Sequence, residues 1–229
     1  MNLMMVLGLG ILLGMQHATE ADHLAAVATF AGRERSLAQG LRLGIAWGCG
    51  HTLTLLLVAG GIGLLGWVIS PALAGHFEQA VGAMLIVLGA NLARRLWRER
   101  FHFHGHVHDD GHAHFHGHAH RERRAPHDAA AHRHGHRLPA RGLVVGMVHG
   151  LAGSAALALM ASQALPSPAM QLLYVALFGL GSIVGMALLS GAVALSIHLT
   201  ARRLTRLHRT FNAGVAVVSV LLGSRMVLG

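Results

Sequence analysis

Residues 4–30 read MMVLGLGILLGMQHATEADHLAAVATF, an apolar run that two histidines and two carboxylates interrupt near its middle. A helix needs about 20 residues to cross the roughly 30 Å hydrocarbon core of a bilayer, and this run is long enough. The whole 229-residue chain has the same character, with 53% hydrophobic residues, 12% charged residues and a mean hydropathy of +0.52. Soluble domains carry about 25% charged residues. The sequence therefore predicts a polytopic α-helical membrane protein.

Six segments are long enough to cross a bilayer. They are 4–30, 40–67, 77–97, 142–165, 169–200 and 211–228. The predicted fold class is all-α, with a three-helix membrane repeat at 1–97, a loop at 98–141 and a second three-helix repeat at 142–229. The N-terminus lacks the positive region of a cleavable signal peptide, so the first segment is expected to remain as a helix.

The two halves of the chain repeat one another weakly. Residues 14–17 (GMQH) recur as 146–149 (GMVH), at an offset of 132. Stretches that begin at Gly48 and Phe77 recur at offsets of 131 and 134. Each predicted repeat has three crossings, and an odd number inverts one half relative to the other. Inverted repeats are typical of secondary transporters, whose site lies near the midplane where the halves meet.

The arginines predict how the chain is oriented in the membrane. The chain contains no lysine, and arginine fills the first, third and fifth joints between segments but is absent from the second and fourth. Positively charged joints belong in the cytoplasm. We therefore expect an inner-membrane protein with both termini outside and the 98–141 loop inside. The formal net charge of +9 then indicates contact with lipid headgroups, and no nucleic-acid partner is expected.

The first segment carries four predicted metal ligands: His17, Glu20, Asp22 and His23. A charge at the membrane centre costs at least about 2.5 kcal/mol on insertion scales, and a divalent cation satisfies all four groups together. Imidazole with carboxylate suits nickel, cobalt, zinc or manganese, whereas copper(I) prefers cysteine or methionine. The alternative is a helix end at which these groups meet water.

Asp22 fits this set less simply. On an uninterrupted helix, His17, Glu20 and His23 share an arc about 120° wide, and Asp22 lies nearly opposite. Either Asp22 faces another helix and orients an imidazole there, or the helix unwinds at this point. The residues leave both alternatives open.

Two further histidines lie in predicted membrane segments. His51 follows Gly48 and Gly50, and glycines allow close contact between membrane helices. His149 occupies the repeat position equivalent to His17. Both are predicted metal ligands, and for both the alternative is a packed polar side chain.

The 98–141 loop holds thirteen of the twenty histidines. Such a tract cannot build a packed core, so we expect it to be disordered without metal. Its alternating histidines predict an auxiliary metal-binding loop, and the alternative is a solvated linker. The nine histidines assigned to this loop are His102, His104, His106, His108, His112, His114, His116, His118 and His120.

The motif at residues 17–23, His-Ala-Thr-Glu-Ala-Asp-His, resembles the first membrane motif of the nickel/cobalt transporter family, H-A-x-D-A-D-H. Glu20 stands where that motif usually has Asp. Gly50-His51-Thr52 resembles the family's second motif, Gly-His-Ser/Thr. Residues 150–154 (GLAGS) and 178–182 (FGLGS) resemble the shorter branch that is related to urease-accessory membrane proteins and to nickel/cobalt exporters. The acidic motifs of the second half of the larger permeases are absent, which argues against uptake of that type.

These observations predict a six-helix transporter in the lipid bilayer, with Ni²⁺ or Co²⁺ as transported substrate and no organic cofactor. No nucleotide-binding motif is present, so an ion gradient or a partner must supply energy. An accessory subunit or a homo-oligomer is compatible with the sequence.

The main alternative is a membrane metal sensor or an accessory protein that delivers nickel to an enzyme such as urease. An intramembrane metalloenzyme would need a motif such as His-Glu-x-x-His, which is missing, so no enzyme activity is expected.

Overall fold

The computed structural model of the protein describes residues 3–31, 36–67, 70–98, 102–107, 113–118, 138–150, 162–201 and 205–229. Helices occupy most of these ranges. They are α1 (Leu3–His17), α2 (Ala21–Ala31), α3 (Leu37–Leu65), α4 (Pro71–Arg98), α5 (Leu138–His149), α6 (Pro168–Ala201) and α7 (Thr205–Leu228).

Four of these helices are long and apolar enough to cross a membrane: α3, α4, α6 and the part of α7 from Thr210. Helix α1 is apolar but shorter. Large apolar side chains such as Leu57, Val87 and Leu221 are more than 60% exposed, whereas histidine, serine and threonine side chains are buried. This distribution is the reverse of that in a soluble domain. The chain is a multi-pass α-helical membrane protein, as the sequence predicts.

The first predicted crossing is broken into two helices. Helix α1 ends at His17 and α2 begins at Ala21. Between them the backbone forms hydrogen bonds between residues three apart. Thr19 N–H donates to the Gln16 carbonyl at 2.9 Å, and Glu20 N–H donates to the His17 carbonyl at 3.1 Å. The Thr19 hydroxyl also donates to the Gln16 carbonyl, at 2.6 Å. The helix therefore unwinds just before Asp22, as one of the two alternatives for that residue requires.

Other helix ends fall where local chemistry caps them. Ser36 accepts a hydrogen bond from Gln39 N–H at the start of α3, and Gly66 ends that helix with a φ of 70°. Ser70 caps α4 in the same way and Pro71 takes the first helical position, where its missing N–H costs nothing. The joint between α3 and α4 is therefore residues 66–70, shorter than the stretch 68–76 between the second and third predicted segments. In the fourth predicted segment, residues 151–161 lie outside the described residues.

Close helix pairs organise the packing. Helix α3 runs antiparallel to α6, with Gly40 against Ala194 and Gly48 against Ile183. It runs parallel to α5, and a methyl group at Gly146 would meet the Trp47 carbonyl. Helix α1 runs parallel to α6. These four helices form the centre of the fold.

Helices α4 and α7 form an outer antiparallel pair. A side chain at Gly82 would meet the carbonyl of Gly223, and one at Gly89 would meet that of Ala216. Helix α2 lies between this pair and the centre, because it contacts α7, α4 and α6. The Thr29 and Ser219 hydroxyls, 3.2 Å apart, link α2 to α7.

The histidine tract contains a short hairpin. Residues His102–Val107 and Ala113–His118 form two antiparallel strands, β1 and β2, in which His104 is paired with His116. Between residues 102 and 136 the structure describes these twelve positions alone, and the disorder of the tract without metal stays a prediction. Histidine recurs there at every second position, which is the period of a β-strand.

Candidate metal centre

Four histidines that are far apart in the sequence meet inside the helical part of the fold. His17 ends α1, His23 lies in the first turn of α2, His51 lies midway along α3 and His149 ends α5. All four are buried, the most exposed being His17 at 4%. Nε2 of His17 lies 3.2 Å from Nε2 of His51. The ring of His23 is centred 4.5 Å from that of His17 and 4.0 Å from that of His149.

Asp22 joins two of these imidazoles. Its Oδ1 lies 3.1 Å from Nδ1 of His23 and accepts the backbone N–H of His23 at 2.8 Å. Its Oδ2 lies 2.9 Å from Nε2 of His149. Asp22 thus reaches another helix as well as following an unwound turn. A carboxylate so placed can ligate an ion or orient both imidazoles.

Glu20 lies at the edge of the cluster. Its Oε1 is 3.1 Å from Nδ1 of His17, and its side chain is 42% exposed, compared with 16% for Asp22. This contact uses the nitrogen of His17 that does not face His51. Glu20 therefore touches the cluster from its accessible side.

Backbone features of the sequence bring the side chains together. The break at residues 18–20 ends α1 at His17 and starts α2 at Ala21, and the ring of His23 then lies 4.5 Å from that of His17. Gly50 permits α5 to approach until a methyl group there would meet the carbonyl of Leu143. The Thr54 hydroxyl then donates to the Met147 carbonyl at 3.0 Å. These contacts fix α3 against α5 and place His51 and His149 on the same side of the fold.

Two aromatic side chains that border the cluster, Trp47 and Phe178, were not predicted from the sequence. The Trp47 ring stacks on His23 with a centroid distance of 5.7 Å and an interplanar angle of 14°, and it lies 5.5 Å from His149. Phe178 lies 5.3 Å from His17. Trp47 precedes His51 by four residues, so the helical period of α3 could have indicated it. Phe178 begins the quoted FGLGS stretch, but nothing in that stretch indicates a contact with His17.

The cluster keeps several buried polar atoms without a hydrogen-bond partner among the described residues. They are Nε2 of His23, Nδ1 of His51, Nδ1 of His149 and Nε1 of Trp47. A buried polar group left unsatisfied costs about 1–3 kcal/mol. Imidazole nitrogens in this state are available as donors to an ion.

The donor atoms fall into two groups. One comprises His17, His23 and His51, and the other comprises Asp22, His23 and His149. Within each group, one donor atom from every residue lies within 4.8 Å of the others. All predicted membrane ligands except Glu20 belong to these groups.

A cavity of about 510 Å³ lies between α2, α4 and α5. Its lining includes Thr29, Asn91, Arg141 and Val145. Val145 precedes His149 by four residues, so the cavity approaches the cluster along α5. It lies toward the end of the fold at which α2 and α4 end and α5 begins.

Six histidines of the tract lie in the hairpin: His102, His104, His106, His114, His116 and His118. His108, His112 and His120 lie outside the described residues. A metal-binding role for any of the nine stays a prediction.

The chain is 30% identical over 225 residues to the urease accessory protein UreH of Bacillus sp. (strain TB-90). The match covers 97% of this chain and 90% of that protein. The chain belongs to the UreH family of urease accessory proteins. No protein-family model matches it, and no solved structure does.

Membership of the UreH family confirms the predicted relationship to urease-accessory membrane proteins. The match extends over nearly the whole chain, so it includes both halves and the tract between them. The closer resemblance to nickel/cobalt transporters stays a prediction.

Proposed function

We propose that this UreH-family chain transports Ni²⁺ or Co²⁺ across the inner membrane. The observation that carries this proposal is the convergence of buried donors from α1, α2, α3 and α5. The residues assigned to the path are His17, Glu20, Asp22, His23, His51 and His149. Buried ionisable groups in a membrane segment are costly and mark ion pathways. An ion as substrate gives the buried, unpartnered Nε2 of His23 a role that lipid cannot.

The donor set suits a transition metal better than the abundant hard cations. Mg²⁺ and Ca²⁺ prefer oxygen ligands, whereas four of the six assigned side chains are imidazoles. Nickel, cobalt and zinc accept imidazole together with carboxylate. The cluster contains no thiolate, since the chain's one cysteine, Cys49, is exposed.

Two pairs of reciprocal central contacts support two inverted three-helix repeats. Gly14 packs against the Phe178 carbonyl, and Gly146 packs against that of Trp47. Gly146 follows Gly14 by 132 positions, and Phe178 follows Trp47 by 131. These are the offsets that align the two halves. Gly50 against Leu143 corresponds in the same way to Gly181 against Ile11.

The outer pair repeats the relation, since Gly82 against Gly223 corresponds to Ala216 against Gly89 at an offset of 134. A contact between unlike positions that recurs with the halves exchanged is what a two-fold axis between them requires. Six crossings and a site near that axis follow in this proposal.

The proposed orientation places both termini outside and the tract in the cytoplasm. It rests on arginine in the first, third and fifth joints. The 510 Å³ cavity lies at the end of the fold where the first and third of these joints begin. It is the proposed route between the cytoplasm and the cluster.

The family relationship favours nickel as the physiological substrate, because urease is a nickel enzyme. The relative's name also supports a second candidate function, in which the chain holds or senses nickel for urease assembly without moving it across the membrane. Both functions use the same metal centre, and they differ in whether metal crosses the bilayer.

Flux separates the two candidates. The purified full chain would be reconstituted into sealed vesicles with no other protein, and radioactive nickel and cobalt would be followed across the membrane. If the chain is a transporter, the flux should be saturable, should exceed that of empty vesicles and should be driven by an imposed ion gradient. Specific nickel binding without flux under every gradient would contradict transport and favour the accessory role.

A further inference from the structure

The two donor groups of the cluster share only His23. In the sequence-based expectation, all the membrane ligands surround one ion. Donors lie about 2.0–2.2 Å from a bound ion, so donors of the same ion are separated by no more than about 4.4 Å. Each group is close to this limit, with donor atoms within 4.8 Å of one another. His51 and His149, whose rings are centred 6.5 Å apart, belong to different groups.

We propose that the cluster offers one ion two alternative positions and that His23 belongs to both. The three-imidazole position comprises His17, His23 and His51, and the mixed position comprises Asp22, His23 and His149. During transport the ion passes directly from one to the other. This inference rests on the proposed transport function.

The two nitrogens of His23 suit this role. Nε2 is buried and has no hydrogen-bond partner among the described residues, whereas Nδ1 lies 3.1 Å from Asp22 Oδ1. With the ion in the three-imidazole position, Nε2 binds it and Nδ1–H donates to Asp22, an arrangement common around ligating histidines. With the ion in the mixed position, Nδ1 binds it and the single ring proton moves to Nε2. The imidazole stays neutral throughout.

The two positions have different ligands, so one can select the ion and the other can compensate its charge. Three neutral imidazoles discriminate against ions that require oxygen ligands. The mixed position supplies a carboxylate, which offsets part of the ion's charge in a medium of low dielectric constant. We therefore assign selectivity to His17 and His51 and charge compensation to Asp22.

Cobalt binding to the purified full-length protein tests the two positions. The tract histidines also bind cobalt, so each visible absorption titration is compared with a variant in which His17, His23, His51 and His149 are all alanine. The difference counts only cobalt held by the cluster. The single variants are His51→Ala, which removes one position, His149→Ala, which removes the other, and His23→Ala, which removes both. His51→Gln and His149→Gln, which keep side-chain bulk, are measured in parallel in case the alanine variants fail to fold.

Wild type should bind one cobalt above the reference variant. The His51 and His149 variants should each still bind one, with affinity lowered by less than about tenfold and with absorption spectra that differ from each other. The His23 variant should bind none, and all three should lose flux in vesicles. The exposed His76→Ala variant is the matched control and should retain both binding and flux.

The failures are distinguishable. If His51→Ala and His149→Ala abolish binding as completely as His23→Ala, the histidines bind the ion in a single position and the proposal of two positions is wrong. If His23→Ala binds and transports like wild type, the shared ligand is wrong. If the binding pattern is as expected but wild type shows no flux, the two positions stand and the transport function falls.

Discussion

His17 and His51 face one another through their Nε2 atoms at 3.2 Å. Two nitrogens about 2.1 Å from one ion and 3.2 Å apart subtend about 100° at that ion, near the tetrahedral angle. The pair is thus spaced to bind an ion with little rearrangement. We predict that His17→Ala and His23→Ala each abolish nickel and cobalt flux in vesicles at matched protein levels.

The controls for these two variants are histidines outside the cluster. His76→Ala, at an exposed position of α4, and His208→Ala, in the first turn of α7, should transport at nearly the wild-type rate. Wild-type flux in both His17→Ala and His23→Ala would show that the clustered imidazoles are merely packed polar groups.

Asp22→Asn should reduce flux about 10–100-fold, the range seen when groups that orient a metal ligand are lost. The amide keeps the size of the side chain but cannot accept from both His23 and His149 with a full negative charge. Flux measured as a function of nickel concentration checks the prediction. A variant with unchanged flux would remove Asp22 from the pathway.

Glu20→Asp should retain transport and shift the ratio of nickel to cobalt flux. Glu20 lies outside both donor groups and touches His17 from the exposed side. A shorter carboxylate there should affect how the ion reaches the cluster more than how the cluster binds it. Competition between the two ions in one vesicle preparation measures the ratio. Complete loss of flux would instead make Glu20 an indispensable ligand.

Deletion of residues 102–136 should leave the membrane part inserted and able to conduct metal. The helical clusters that form the buried core lie outside this segment. Apparent affinity or regulation should change, because the deletion removes thirteen histidines. Absence of flux from a deletion variant that is inserted at wild-type levels would place the tract on the pathway.

Gly146→Ala should disrupt the packing of α5 on α3, because its methyl group would meet the Trp47 carbonyl. Overpacking of this kind costs about 1–3 kcal/mol, so we expect a lower unfolding temperature in detergent and reduced flux. Gly8→Ala is the matched control, since a methyl group at Gly8 meets nothing within 4 Å. Equal stability of the two variants would show that α5 does not need this close contact.

The sequence predicted the membrane-helical class well because hydropathy over long segments is a strong signal. It also selected the histidines that converge, since a polar group in an apolar helix stands out by its cost. It left open whether Asp22 faces an imidazole on another helix, and it did not identify His149 as that imidazole, because 127 residues separate the two and no pattern along one helix encodes a contact with another. Trp47 and Phe178 were missed for a related reason: aromatic side chains in apolar helices are unremarkable until their neighbours are known.

The short break between α1 and α2 places the side chains of the cluster on separate helices. His17, His51 and His149 lie on α1, α3 and α5, whereas Asp22 and His23 lie on α2, which packs on both the outer α4–α7 pair and the central helices. A displacement of α2 would therefore lengthen the distances from His23 to the other three rings and leave the contact between His17 and His51 unchanged. An ion bound by His23 together with His17 and His51 would accordingly tie the position of α2 to that of the centre.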